Sequence, residues 1–144
     1  MSEPGCVECA VLRGEKTPPG GFVLETERFV GHGLLAPSPI RGWVVLAPRR
    51  HARWWWELTD AEAAELGPLA KRIFEAQRSA LGAEHGYAFA IGDVLHHMHL
   101  HLIPRYADTP QALRGRGAFE GKPEQALGDD VLAKAAAELK RALA

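Results

Sequence analysis

The residues best suited to chemistry are crowded into His96-His97-Met98-His99-Leu100-His101-Leu102-Ile103-Pro104-Arg105, which holds four of the chain's seven histidines. From His97 on, polar and apolar residues alternate with period two, which predicts a half-buried β-strand. Met98, Leu100 and Leu102 then face a core, and His97, His99 and His101 form a row on the other face. Imidazole exchanges protons near neutral pH, binds metal ions and attacks electrophiles. A solvated strand face would ordinarily draw on Lys, Glu and Thr instead.

One metal ion cannot use the whole row. A strand rises roughly 3.3 Å per residue, so the outer two Cα atoms lie ~13 Å apart. Zinc–nitrogen bonds are only ~2.0–2.1 Å long. At least one histidine is therefore left as nucleophile or general acid/base. Cys6 and Cys9, the chain's two cysteines, form a C-x-x-C pair. Two thiolates make half of a tetrahedral zinc site, and distant histidines would have to complete it. A thioredoxin-like redox role would want a strand before the pair, and the residues ahead of Cys6 are too few. His51, after Arg49-Arg50, is either a zinc ligand or a surface histidine in a basic turn. A zinc hydrolase that uses two of the row's histidines and a metal-activated water fits the same residues.

These residues need a scaffold. Phe22–Glu25 and residues 28–35 read as two strands about a turn near Glu27, and Pro37-Ser38-Pro39 breaks the chain. Gly42-Trp43-Val44-Val45-Leu46-Ala47 is almost wholly apolar, which predicts a central strand that stops at Pro48. Trp54-Trp55-Trp56 cannot all face one core, although core packing is the expected role of most of them. Thr59-Asp60-Ala61-Glu62 matches a capping box, and Leu66, Leu69, Ile73, Ala76 and Ala80 give a helical stripe that ends before Gly82. Gly67-Pro68 should kink this helix or divide off its first turn. Residues 86–91 read as the strand that leads, through Gly92-Asp93, into the histidines. Residues 106–128 read as a loop or flap whose Arg114, Arg116 and Lys122 could touch an anionic substrate. Asp129 or Asp130 can cap a last helix over 129–143, with Leu132, Ala136, Leu139 and Leu143 on one face.

The chain has 144 residues and a formal net charge of −1, which suits a single domain over 1–144 and gives no basic footprint for nucleic-acid binding. No apolar run is long enough to span a bilayer, and the N-terminus lacks the basic and apolar regions of a signal peptide. The expected compartment is the cytoplasm.

The motif and its surroundings resemble the histidine triad (HIT) family. His97-x-His99-x-His101 with apolar spacers runs into Ile103-Pro104-Arg105. An apolar strand ending in Ala47-Pro48-Arg49-Arg50-His51, a long helix and a further strand precede it in the family's order. The resemblance covers roughly residues 6–105. It implies an α+β fold, with an antiparallel sheet of about five strands packed on one long and one C-terminal helix. It also implies a homodimer and a nucleotide substrate. The implied chemistry is nucleotidyl transfer or hydrolysis at the α-phosphorus of a dinucleoside polyphosphate or a nucleoside phosphoramidate. His99 matches the nucleophile that carries the covalent nucleotidyl group, and the carbonyl of His97 orients its ring. His101 either hydrogen-bonds phosphate oxygens or gives a proton to the leaving group.

The cysteines resemble those of a branch that includes galactose phosphate uridylyltransferase and many bacterial HIT hydrolases. That likeness implies a structural zinc held by Cys6, Cys9, His51 and His97. A histidine at 101, where the uridylyltransferases carry Gln, resembles the hydrolases. Four positions depart from the family pattern. Trp43 replaces a common histidine, Val94 a Ser or Thr, and Asp93 a frequent Gln. Leu35 falls where an acidic residue often grips ribose. Phosphate would then be held by backbone N–H groups around Gly92–Leu95, so Gly92, Asp93, Val94 and Arg105 are the candidate substrate contacts. A non-catalytic nucleotide-binding dimer is the alternative within the same resemblance.

Overall fold

The structure is a computed structural model that describes residues 2–35 and 37–144. Five strands, β1 (Phe22–Glu25), β2 (Phe29–Gly33), β3 (Val44–Pro48), β4 (His85–Phe89) and β5 (Leu100–Arg105), accompany three α-helices, α1 (Val7–Leu12), α2 (Asp60–Leu81) and α3 (Asp129–Leu143). The strands form one antiparallel sheet in the order β1-β2-β3-β5-β4. Helix α2 packs on β3, β5 and α3, and α3 packs on β1 and β2. This is the α+β architecture expected from the sequence. Phe29, Leu46, Ile73, Met98, Leu102, Ile103 and Leu139 are its largest fully buried apolar side chains, each worth about 1.5–3 kcal/mol of apolar burial.

Helix α2 begins as its sequence dictates. The Thr59 hydroxyl accepts from Glu62 N–H, and the Glu62 carboxylate accepts from Thr59 N–H. Glu62 also receives Arg50 at 2.7 Å, which ties the turn carrying His51 to the helix start. Burial alone would raise the Glu62 carboxyl, but Arg50 and the Thr59 N–H outweigh it and hold it below its ordinary range. The expected break at Gly67-Pro68 does not occur, and the helix is continuous to Leu81, with Gly82 left-handed at φ 79°. Gly67 and Pro68 lie on the exposed side. Water can therefore satisfy the carbonyl that Pro68 leaves without a donor.

Two other expectations need correction. Regular pairing of β5 starts at Leu100 rather than His97, because β3 offers only Val44, Val45 and Leu46 as partners and then reaches Pro48. Residues 97–99 are held by separate bonds instead, including Met98 N–H to the Ala52 carbonyl at 2.7 Å. Residues 106–128 have little regular structure, with short 3₁₀ turns at Gln111–Leu113, Gly115–Glu120 and Pro123–Gln125. Gly128, not Asp129 or Asp130, stands at the N-cap of α3, and the two acids fall in its first turn, where they favour the helix dipole.

An interaction not foreseen pins α1 to the sheet. His32 Nδ1–H donates to the Gly33 carbonyl at 2.7 Å, and Nε2–H donates to Glu8 Oε2 at 2.9 Å. With an acceptor at each nitrogen the pairing favours the imidazolium, and both side chains are only 2% exposed. Burial opposes that charge, but the Glu8 carboxylate and the Gly33 carbonyl outweigh it and raise His32 above its ordinary value. The resulting stability is present in full below the unfolded-state value of about 6.5 and is lost as pH rises through the raised native value. Urea unfolding of the wild type and of His32→Gln across pH 5–9 should therefore show the wild type's advantage shrinking as pH rises. An advantage that grows with pH would contradict the assignment.

Candidate active site and metal centre

The end of β3, the turn after it, α1 and the approach to β5 converge on Cys6, Cys9, His51 and His97. One ligand atom from each of the four lies within 4.8 Å of all the others. Cys6 Sγ lies 3.5 Å from His97 Nδ1, and Cys9 Sγ lies 3.6 Å from the same atom and 3.4 Å from His51 Nδ1. The two Nδ1 atoms are 3.1 Å apart. With zinc bonds of about 2.3 Å to sulfur and about 2.0–2.1 Å to nitrogen, a tetrahedron has S···N edges of about 3.6 Å and an N···N edge of about 3.3 Å. The four distances are close to those edges, so the cluster is a candidate Cys₂His₂ metal site, and thiolates beside imidazole suit zinc.

The supporting bonds agree with this donor set. His97 Nε2–H donates to the Pro48 carbonyl at 2.8 Å, which leaves Nδ1 as the lone-pair nitrogen facing the sulfurs. Burial, with His51 and His99 nearby, pushes His97 below its ordinary value and favours the neutral ring, the form able to bind a metal ion. Burial pushes the Cys6 thiol up, against the Cys9 N–H that points at its sulfur. A cation on the sulfur reverses that balance.

Next along the chain, His99 Nδ1–H donates to the His97 carbonyl at 2.7 Å. Its tautomer is thereby fixed, and Nε2 carries the free lone pair. His101, paired with Val45 on one side and Phe89 on the other, has its ring centroid 4.8 Å from that of His99 at 81°. Its Nδ1 accepts from Trp43 Nε1–H at 3.0 Å. Burial, with His99 adding to it, lowers His101 to about 4. Both histidines line a cavity of about 500 Å³ bounded by Leu34, Pro37 and Pro39, by Ile91–Leu95, and by Ala118, Phe119 and Gly121.

Residues 19–108 match the family model described as HIT domain. The chain belongs to the HIT family. It is 26% identical over 136 residues to adenosine 5'-monophosphoramidase hnt1 of Schizosaccharomyces pombe, a match covering 90% of this chain and 97% of that one. The HIT fold recurs in a Hit-like protein from Bartonella henselae, with a TM-score of 0.76 and 16% identity over 98% of each chain. It recurs in a Zn-bound histidine triad family protein from Mycobacterium smegmatis, with a TM-score of 0.69 and 23% identity over 96% of this chain and 97% of that one.

Within this HIT fold, Gly92, Asp93 and Val94 line the cavity beside His99, and Arg105 does not. Arg105 lies at the far end of β5, where it meets Glu84 at 3.3 Å and the Tyr87 hydroxyl at 3.4 Å. Six residues of strand carry it roughly 20 Å from His99. No Lys or Arg lines the cavity among the described residues. Arg114, from the expected flap, is spent on the carbonyls of Thr109 and Ala107. The flap contributes Phe119 instead, edge-on to Trp43, Phe89 and His101. Sequence reasoning missed Phe119 because a lone aromatic in a Gly/Pro-rich stretch has no periodicity to betray its direction.

The tryptophans are also placed differently from expectation. Trp55 and Trp56 are 44% and 80% exposed, and Trp54 alone packs against the core. Trp54 presses on Gly92, where a Cβ would lie 2.4 Å from its ring and φ is +73°. Gly92→Ala should therefore cost about 1–2 kcal/mol for the left-handed backbone alone and more for the clash, with a parallel loss of activity. Urea unfolding of Gly92→Ala in the wild-type and Trp54→Ala backgrounds separates the two parts. The clash vanishes in the second background and the backbone cost stays. Equal costs in both would show that the ring does not brace this turn.

Proposed function

We propose that the chain is a HIT-type hydrolase of nucleoside phosphoramidates or dinucleoside polyphosphates, working through a nucleotidyl group carried on His99. The observation that carries this reading is the state of the His99 ring. Nδ1–H is held by the His97 carbonyl, and Nε2 is left as the lone pair of a histidine that lines the cavity. In the proposed reaction Nε2 attacks the α-phosphorus, and the bond to the leaving group breaks with its electron pair. Water then attacks the same phosphorus, the P–N bond to His99 breaks, and the nucleoside monophosphate leaves. Two displacements with an imidazole nucleophile replace one difficult attack by water. His101 Nε2–H and the backbone N–H groups around Gly92–Leu95 would meet the phosphate oxygens. The phosphoramidase activity named for the Schizosaccharomyces pombe relative supports the substrate class.

We further propose that zinc occupies the Cys6, Cys9, His51 and His97 cluster as a structural ion, where it would cross-link α1 to the residue that orients His99. The Zn-bound relative from Mycobacterium smegmatis supports this. The four clustered donors would complete a tetrahedral shell without His99 or His101. That favours imidazole attack over a zinc-activated water. The homodimer implied by the resemblance belongs to the same reading, and β4, at one end of the sheet, has an edge unpaired among the described residues to offer it.

Hydrolysis of adenosine 5'-monophosphoramidate and of diadenosine polyphosphates tests the proposal. The wild type should turn over at least one of them, and His99→Ala should lose at least ~10³-fold in kcat/KM while keeping its fold and zinc content. Cys9→Ser should lose zinc by elemental analysis and melt at a lower temperature. Turnover that survives His99→Ala, or that is absent from the wild type on every nucleotide, would overturn the catalytic reading.

A further inference from the structure

His101 could serve this reaction in two ways, as a proton donor to the leaving group or as a fixed hydrogen-bond donor to phosphate. We propose that Trp43 is a positioning residue that locks His101 in its neutral Nε2–H form and so withdraws it from general acid catalysis. The inference rests on the proposed function for its chemistry, but its structural half stands alone.

The indole N–H is a donor only. Pointed at His101 Nδ1 from 3.0 Å, it requires a lone pair there, which puts the ring's one proton on Nε2. Trp43 has little freedom to do otherwise. It is 4% exposed, and it follows Gly42, whose carbonyl accepts from the buried Gln77 Nε2 at 2.8 Å. Gly42 has φ +79°, and a Cβ there would lie 2.4 Å from Leu81 Cδ1. Phe119 closes the arrangement, edge-on to Trp43 at 5.1 Å and to His101 at 5.0 Å between ring centroids.

The proton balance follows. A neutral imidazole that gave up its Nε2 proton would become an imidazolate, far too basic to form at neutral pH. To act as an acid, His101 would first have to be an imidazolium, with a proton on Nδ1 facing the indole N–H. Two donors would then meet at hydrogen-bond distance with no acceptor between them. Burial works in the same direction on this ring. His101 therefore stabilises the transferring phosphoryl oxygens by a hydrogen bond that strengthens as their charge grows. A leaving oxygen departs with the electron pair as an anion, whereas a phosphoramidate nitrogen, too basic to leave as an amide anion, takes a proton from water before the P–N bond breaks and departs as the neutral amine. Among oxygen leaving groups, such a site favours those that carry negative charge well.

Two measurements on the intact protein test this. Nitrogen-15 NMR of the histidine rings at neutral pH, without substrate, should show His101 protonated at Nε2 and bare at Nδ1. Trp43→Phe should convert that signal to a mixture of tautomers. A His101 already protonated at Nδ1 in the wild type overturns the proposal whether or not any nucleotide is a substrate. With adenosine 5'-phosphate esters of substituted phenols, kcat/KM should fall steeply as the phenol becomes more basic. Trp43→His, whose imidazole can accept as well as donate, should flatten that dependence and speed the poorest leaving groups. Packing alone gives no reason for the slope to change. A wild-type rate indifferent to phenol basicity would show that His101 does act as an acid and would sink this inference while leaving the nucleophile on His99 in place.

Discussion

His97 is the residue on which the site depends, because it is held at three points and passes that constraint on. Its Nε2–H is anchored to the Pro48 carbonyl at 2.8 Å, its Nδ1 faces Cys6, Cys9 and His51, and its carbonyl accepts from His99 Nδ1 at 2.7 Å. The backbone that carries this carbonyl bends at His97 and is not laddered, since β5 pairing begins only at Leu100. Side-chain bonds therefore do here what strand pairing does elsewhere. A loosened His97 would free the His99 ring to turn, and a shift of one ångström at a reacting atom can cost a hundredfold in rate.

The rest of the fold steadies the partners of His97. Arg50, beside His51, is clamped by Glu62 at the start of α2. Helix α1, which contains Cys9 and is N-capped by Cys6, is fastened to β2 by the buried Glu8–His32 pair. Removing one member of such a pair strands the other's charge, at a typical cost of about 3–5 kcal/mol. On the opposite flank Gln77 donates to the carbonyls of both Gly42 and Leu102, so α2 fixes the strand carrying His101 and the turn carrying Trp43 together.

Much of this was legible in the chain. Strand alternation and the capping box marked β5 and α2, and the resemblance to the zinc-containing HIT branch named Cys6, Cys9, His51 and His97, which the fold brings together as a candidate metal site. What stayed hidden has physical reasons. Glu8 and His32 pair across 24 positions and belong to no periodic pattern. Phe119 reaches the cavity from 3₁₀ turns in which side-chain direction follows local geometry rather than a repeat. Arg105 stood next to the motif, but a strand carries its far end away from a site at its beginning. Trp43 could be seen as a departure from the family pattern, while the bond it makes to His101 required coordinates.

The central claim is that the middle imidazole, free of metal, becomes bonded to phosphorus. Rapid acid-free quenching during turnover of adenosine 5'-monophosphoramidate, followed by peptide mass spectrometry, tests it most directly. The account predicts an adenylyl group on the peptide that contains His99, with fragmentation placing it on that ring. An adenylyl group on His101 or on any other side chain during turnover would contradict it.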